Sequence, residues 1–248
     1  MNKKVIFLLF LICPVLSNAN DTEPFPEENK GIQIISLSKM NLPNEFKKEI
    51  SNNLIQQKIK GYKTSNDESI SFLLKLPEKA PQEIAEFKNN KNPMDTHLKS
   101  NIAEIKLAFN FNKISAIKEE DILGYAAIGS YLKRNKKDLG WSGLRVFFSD
   151  KTLGVCSYSL MKIQAVQLTK ETIQYLVNNK PSDSIIEGNY TIGFIYSLNW
   201  YTNDTMSTLD CANNNFNKNN MKKLIALANK IDKEKINCNY SAHFLATQ

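Results

Sequence analysis

The chain has 248 residues, 42% of them hydrophobic and 23% charged, with a formal net charge of +7. That balance excludes an intrinsically disordered protein and leaves apolar material for a sizeable core. Arg134 and Arg145 are the two arginines among 32 basic residues, and so few guanidinium forks argue against sequence-specific reading of nucleic acid.

Lys3 and Lys4 precede an unbroken apolar run from Val5 to Leu16, followed by Ser17-Asn18-Ala19. A membrane span needs about 20 apolar residues, so this run is too short, and its flanks read as a secretory signal peptide over residues 1–19. Cys13 lacks the small residue before it that lipoprotein processing favours. Removal of the signal takes away two lysines and leaves +5 on 229 residues. No later run is long enough for a transmembrane anchor. The expected location is therefore the periplasm or the exterior of a bacterial cell. Residues 20–30, NDTEPFPEENK, read as a flexible acidic leader.

Ile32–Ser38 reads as a short strand. Pro43 and Glu45 open a helix to about Lys60, with Phe46, Ile50 and Leu54 at steps of four and Gly61 as its stop. Ile70, Phe72, Leu74 and Leu76 alternate, which predicts a half-buried strand ended by Pro77, with a short helix after Pro81. Alternation from Ala103 to Phe111 predicts a second strand with one wet face. Glu119-Glu120-Asp121 at one end and Lys133 to Lys137 at the other suit a helix macrodipole, although Gly124 and Gly129 weaken that helix.

Leu144–Ser149 and Val155–Leu160 flank a turn and predict a hairpin, with Ile163–Leu168 continuing its second arm. Thr169 is placed to cap a helix carrying Ile173, Leu176 and Val177. Tyr190, Ile192, Phe194, Tyr196, Leu198 and Trp200 share one face of a long strand, and Ser184–Glu187 is expected to pair with it. Met221, Leu224, Ile225, Ala228 and Ile231 form one face of an amphipathic helix.

Three cysteines remain after the signal, Cys156, Cys211 and Cys238, and an oxidising compartment favours one disulfide among them. Cys156–Cys211 is the preferred pair because both flank strands of one half. A Cys211–Cys238 bridge would instead staple the last helix.

Motifs for metal, nucleotide or other cofactor binding are lacking, so none is expected. The two histidines, His97 and His243, lie in a polar loop and near the end of the chain. Gly140-Trp141-Ser142-Gly143 misses the nucleophile-elbow spacing and reads as a turn into the next strand. The densest basic cluster is Lys133, Arg134, Lys136 and Lys137, flanked by Tyr131 and Trp141. A solvated helix end is its simpler account. The functional one is an anion contact with a lipid headgroup, a polyanionic glycan or an acidic partner. Arg145, entering an apolar strand, is expected to meet a carboxylate across the sheet. The row of aromatic residues from Tyr190 to Trp200 is expected to face the core.

These patterns predict an α+β protein: an antiparallel twisted sheet with helices packed on one face. Residues 31–236 would form a single domain, with a sub-division near 113–142, and residues 237–248 a tail. The expected function is an exported, non-catalytic binding module for an envelope, host or other macromolecular partner. The alternative is an extracytoplasmic hydrolase without a recognisable motif. Oligomeric state is not encoded in any pattern here.

Overall fold

Alternating side chains dominate the chain from Ile122 onward, and this stretch supplies eight of the ten strands in the computed structural model, which describes residues 31–111, 114–134 and 137–234. The signal segment, the acidic leader, Lys136, Cys238, His243 and the tail lie outside the described residues. The larger sheet runs β2(Lys63–Thr64), β8(Lys180–Asn189), β9(Gly193–Tyr201), β10(Thr205–Asn213), β5(Gly154–Lys162), β4(Lys137–Asp150), β3(Ile122–Arg134), with β7(Ile173–Val177) on the other part of the β8 edge. Only the β2–β8 pairing in it is parallel. A separate parallel pair joins β1(Gly31–Ile35) to β6(Ala165–Thr169). With three helices among the described residues, the class is α+β, as the sequence implies.

The sheet has two covered faces, because successive strand residues point to opposite sides. Phe194, Tyr196, Leu198 and Trp200 of β9 join Tyr158, Leu209 and Phe148 in the main core, closed by Met221, Leu224, Ala228 and Ile231 of α3(Asn219–Lys233). Ile195, Ala212 and Phe147, one position along, pack instead on Ile70, Leu73, Leu76 and Ala80 of α2(Glu68–Phe87). The helices are thus divided between both faces rather than gathered on one. A third cluster, Ile163, Val166, Leu168 and Tyr201, seats the β1–β6 pair.

The α1(Asn44–Lys60) boundaries match expectation, and Gly61 ends it at φ 86°, donating its N–H to the Gln57 carbonyl at 2.9 Å. The α3 helix, the β4–β5 hairpin and the β8–β9 pairing are also where the pattern places them. Elsewhere the structure corrects the sequence reading. Residues 70–76 are helical: Ile70, Leu73, Leu76 and Ala80 form the buried stripe while Phe72 is 46% exposed. The Asp67 side chain caps this helix by accepting from the Ser69 N–H at 2.8 Å. Pro77 and Pro81 sit inside it, each removing one ladder hydrogen bond, a loss offset by packing on the sheet.

The acidic-to-basic stretch expected as a helix is the strand β3. Gly129, at φ 78°, sits where β3 shifts register against β4, and a Cβ there would stand 2.4 Å from Ser142 Oγ. Residues 173–177 are also extended; Asn178 and Asn179 take positive φ (45° and 68°) and form the two-residue turn from β7 into β8. Thr169 therefore precedes only a 3-10 turn, Lys170–Thr172, with no side-chain cap hydrogen bond, and Ile163–Leu168 does not continue β5 but turns away as β6. The expected strand from Ala103 to Phe111 is a short 3-10 turn, Ile102–Glu104, followed by a segment that touches β4 at one bridge, Leu107↔Trp141. There it occupies the edge that β5 leaves, since β5 pairs with β4 only from Gly143 onward. Strand β9 begins at Gly193, which leaves Tyr190 71% exposed outside it, and β10 had no clear alternation to announce it.

Candidate functional site

Strands β3 and β4 stay paired beyond the end of β5, out to Lys133↔Asp138 and Arg134↔Lys137. The basic cluster therefore lies on the outer end of a two-stranded ribbon, not on a helix end, and the helix-end account of these cations has no helix to rest on. Lys133, Arg134 and Lys137 are exposed there. The Lys133 ammonium lies 3.5 Å from Asp138 and 5.9 Å from the centroid of the Tyr131 ring. The fourth predicted cation, Lys136, is outside the described residues.

Trp141 parts company with the cluster. It is 8% exposed, donates its indole N–H to the Pro93 carbonyl at 3.1 Å, and meets the Tyr131 ring edge-on at 5.5 Å. At the foot of the ribbon it lines a cavity of about 240 Å³ together with Lys91, Asp95, Lys99, Glu104 and Lys106. Lys99 is 6% exposed and donates to the Asp95 carboxylate, which His97 also engages through Nδ1. The His97 ring stacks on Phe87, the last residue of α2, at 3.4 Å between centroids. Burial works to raise the Asp95 pKa, but the hydrogen bonds from Lys99 and His97 win and hold it below the ordinary value. Sequence reasoning placed Asp95 and His97 in a polar loop and Glu104 and Lys106 on the wet face of a strand, and did not bring them together; an i,i+4 Asp–Lys pair was the available signal.

The face of the sheet toward α2 holds a second polar assembly that the sequence did not reveal. One cross-strand row reads Asp183, Asn199, Thr208, Ser159, Arg145, and the next includes Ser197, Asp210 and Ser157. Asp183, 3% exposed, accepts from Asn199 Nδ2 at 2.8 Å and from the Tyr201 hydroxyl at 2.6 Å, and Thr208 donates to Asn199 Oδ1 at 2.7 Å. Burial outweighs these neutral donors and pushes the Asp183 carboxyl up to about 6. Burial followed by the field of Asp183 also holds the Tyr201 phenol well above its usual range.

Arg145 donates from Nε to Ser159 Oγ at 2.7 Å rather than pairing directly with a carboxylate across the sheet as expected; its charge acts on Asp210, two strands away, only at longer range. Burial still raises Asp210, opposed by a Ser197 hydrogen bond and by Arg145.

Cys156 and Cys211 are bonded, lie opposite each other on β5 and β10, and are fully buried in the main core. The preferred pairing is therefore the one formed. Ser142 is extended within β4 and not in a turn before it; its Oγ accepts from the Ser130 N–H at 2.9 Å, a structural role. Among the described residues no three His, Cys, Asp or Glu side chains converge in a way that could hold a metal ion, and no helix is long and apolar enough to cross a membrane. No family model matches this chain, and no curated protein or solved structure is significantly similar to it.

Proposed function

We propose that this is an exported binding protein that engages a polyanionic surface or macromolecule of an envelope or host through the outer end of the β3–β4 ribbon. One observation carries the reading. Three exposed cations share the end of a ribbon that runs past the rest of the sheet, where Asp138 lies beside Lys133. Such an end reaches a flat charged surface without requiring the remainder of the sheet to approach it. The cations are solvated, so they attract anions over about a Debye length and do so less as salt rises. Export is supported by the signal-like residues 1–19 and by the buried Cys156–Cys211 bond, since disulfides persist in oxidising compartments.

The test is retention of the purified protein on a sulfated polysaccharide and on vesicles rich in anionic lipid, across a salt series. Each cation near an anionic surface contributes about 1 kcal/mol. Reversal of Lys133, Arg134 and Lys137 to glutamate together should weaken binding at least about 100-fold. Binding to both matrices that survives the triple reversal would overturn the reading.

A further inference from the structure

The geometry points to the cavity at the foot of the ribbon as a binding site for a small phosphate monoester, separate from the exposed cations at the ribbon end. Its volume, about 240 Å³, falls just below the range of roughly 300–1,000 Å³ usual for drug-sized ligands, so the ligand is small. Three lysines, Lys91, Lys99 and Lys106, reach it from three separate segments of chain.

Two of those lysines are fixed in place by the ribbon. The Lys99 backbone is tied to β3 by a pair of hydrogen bonds, its N–H to the Tyr125 carbonyl at 2.8 Å and the Tyr125 N–H back to its own carbonyl at 2.9 Å. The Lys106 carbonyl accepts from the Trp141 N–H at 2.8 Å, which sets it beside β4. Lys91 comes from the loop whose Pro93 carbonyl is held by the Trp141 indole. Adjacent strands thus hold the backbones of two of the site's three lysines in place before any ligand arrives, which limits the ordering cost of binding largely to side chains.

The two carboxylates that line the cavity are already engaged. Asp95 serves Lys99 and His97, and Glu104 accepts from the Asn101 N–H and the Ser100 hydroxyl, both at 2.9 Å. Lys91 and Lys106 make no ion pair among the described residues. Lys99 is the deciding residue. Its ammonium carries three donors in a 6%-exposed position, and one of them goes to Asp95.

The cation type selects the anion. Planar carboxylates are best matched by the guanidinium fork, and no arginine lines this cavity. Separate point-like ammonium groups suit a tetrahedral oxyanion with several acceptor oxygens instead. The indole of Trp141 and the side chain of Ile105 add an apolar wall for the ester group.

Calorimetric titration of the folded protein with phenyl phosphate, inorganic phosphate and benzoate at constant ionic strength tests this. Phenyl phosphate should bind saturably, inorganic phosphate more weakly, and benzoate at least about tenfold more weakly than the ester. Lys91 and Lys106 are exposed, so the Lys91→Ala/Lys106→Ala double variant should fold normally and lose about tenfold or more in affinity, the worth of one charge-assisted hydrogen bond. Lys99→Met should abolish binding, with its folding checked by denaturation because it leaves Asp95 without its ammonium. The triple glutamate variant at the ribbon end should bind phenyl phosphate as the parent does. Absence of saturable binding, full affinity in the double variant, benzoate as tight as the ester, or loss confined to the ribbon-end variant would each overturn the assignment.

Discussion

The two faces of the sheet are built from the same strands and obey different chemistry. On the α3 side, the row Tyr196, Cys211, Cys156, Phe148 is apolar but for the Tyr196 hydroxyl, and a covalent bond locks it across β5 and β10. Two of its neighbours, Tyr158 and Trp200, stack at 5.9 Å, and the Trp200 indole N–H is satisfied by Asp232 of α3 at 3.0 Å. On the α2 side, the interleaved residues are serines, asparagine, threonine, two aspartates and an arginine, and α2 covers only the rows near Phe147, Ile195 and Ala212. The first face resists disruption through packing, and the second responds to protons. A single strand thus carries both behaviours in alternate residues.

Adjacent substitutions on β9 sharpen that contrast. Leu198→Ala opens a cavity beside Tyr158 and Trp200 and should cost about 2–5 kcal/mol, nearly independent of pH, by urea denaturation. Replacing Cys156 and Cys211 with alanine frees a loop of 55 residues and should cost roughly 2–4 kcal/mol. The same loss on adding reductant to the parent, and none on adding it to the variant, would confirm the source. Asn199→Ala removes a donor from Asp183 and a partner from Thr208, and should cost about 1–3 kcal/mol. Unlike Leu198→Ala, that loss should be larger at pH 7.5, where Asp183 is ionised, than at pH 5. Equal pH profiles for the two variants would erase the distinction between the faces.

What could be read in the sequence divides along similar lines. The α3 stripe and the apolar side of β9 were legible because each rests on a local period, and the Cys156–Cys211 pair because both cysteines flank strands of one half of the chain, although 55 residues separate them. Residues 70–76 fit a period of two and a period of 3.6 equally, and the burial of Leu73 with the exposure of Phe72 decides between them only in the folded molecule. For β3, a plausible charge gradient overrode Gly124 and Gly129, whose presence was the better signal for an irregular strand. The ribbon-end cations were legible as a cluster, but their support was misassigned. The foot cavity was not legible, since Lys91, Lys99, Lys106 and Trp141 meet through one isolated bridge on each of β3 and β4. The polar rows on the α2 side gather residues from Arg145 to Asp210, each of which reads alone as the wet side of a strand.

The most direct test of the two-faced sheet is denaturant-measured stability from pH 7.5 down to pH 5, for the parent and for Asp183→Asn. The folded Asp183 carboxyl titrates at about 6 against an ordinary value of 3.8, so the folded state holds this proton more tightly than the unfolded chain. Its stabilising contribution is complete below about 3.8 and disappears as pH rises through about 6. Raised Asp210 and Glu187 act in the same direction, whereas the lowered Asp95 and Asp150 withdraw their support only at more acidic pH. The parent should therefore gain stability on acidification to pH 5, with Asp183 contributing up to about 3 kcal/mol at its limit. Asp183→Asn keeps an acceptor for Asn199 and should be more stable than the parent at pH 7.5, with a flatter profile. A parent that loses stability between pH 7.5 and 5, or a variant with the parent's slope, would contradict the account.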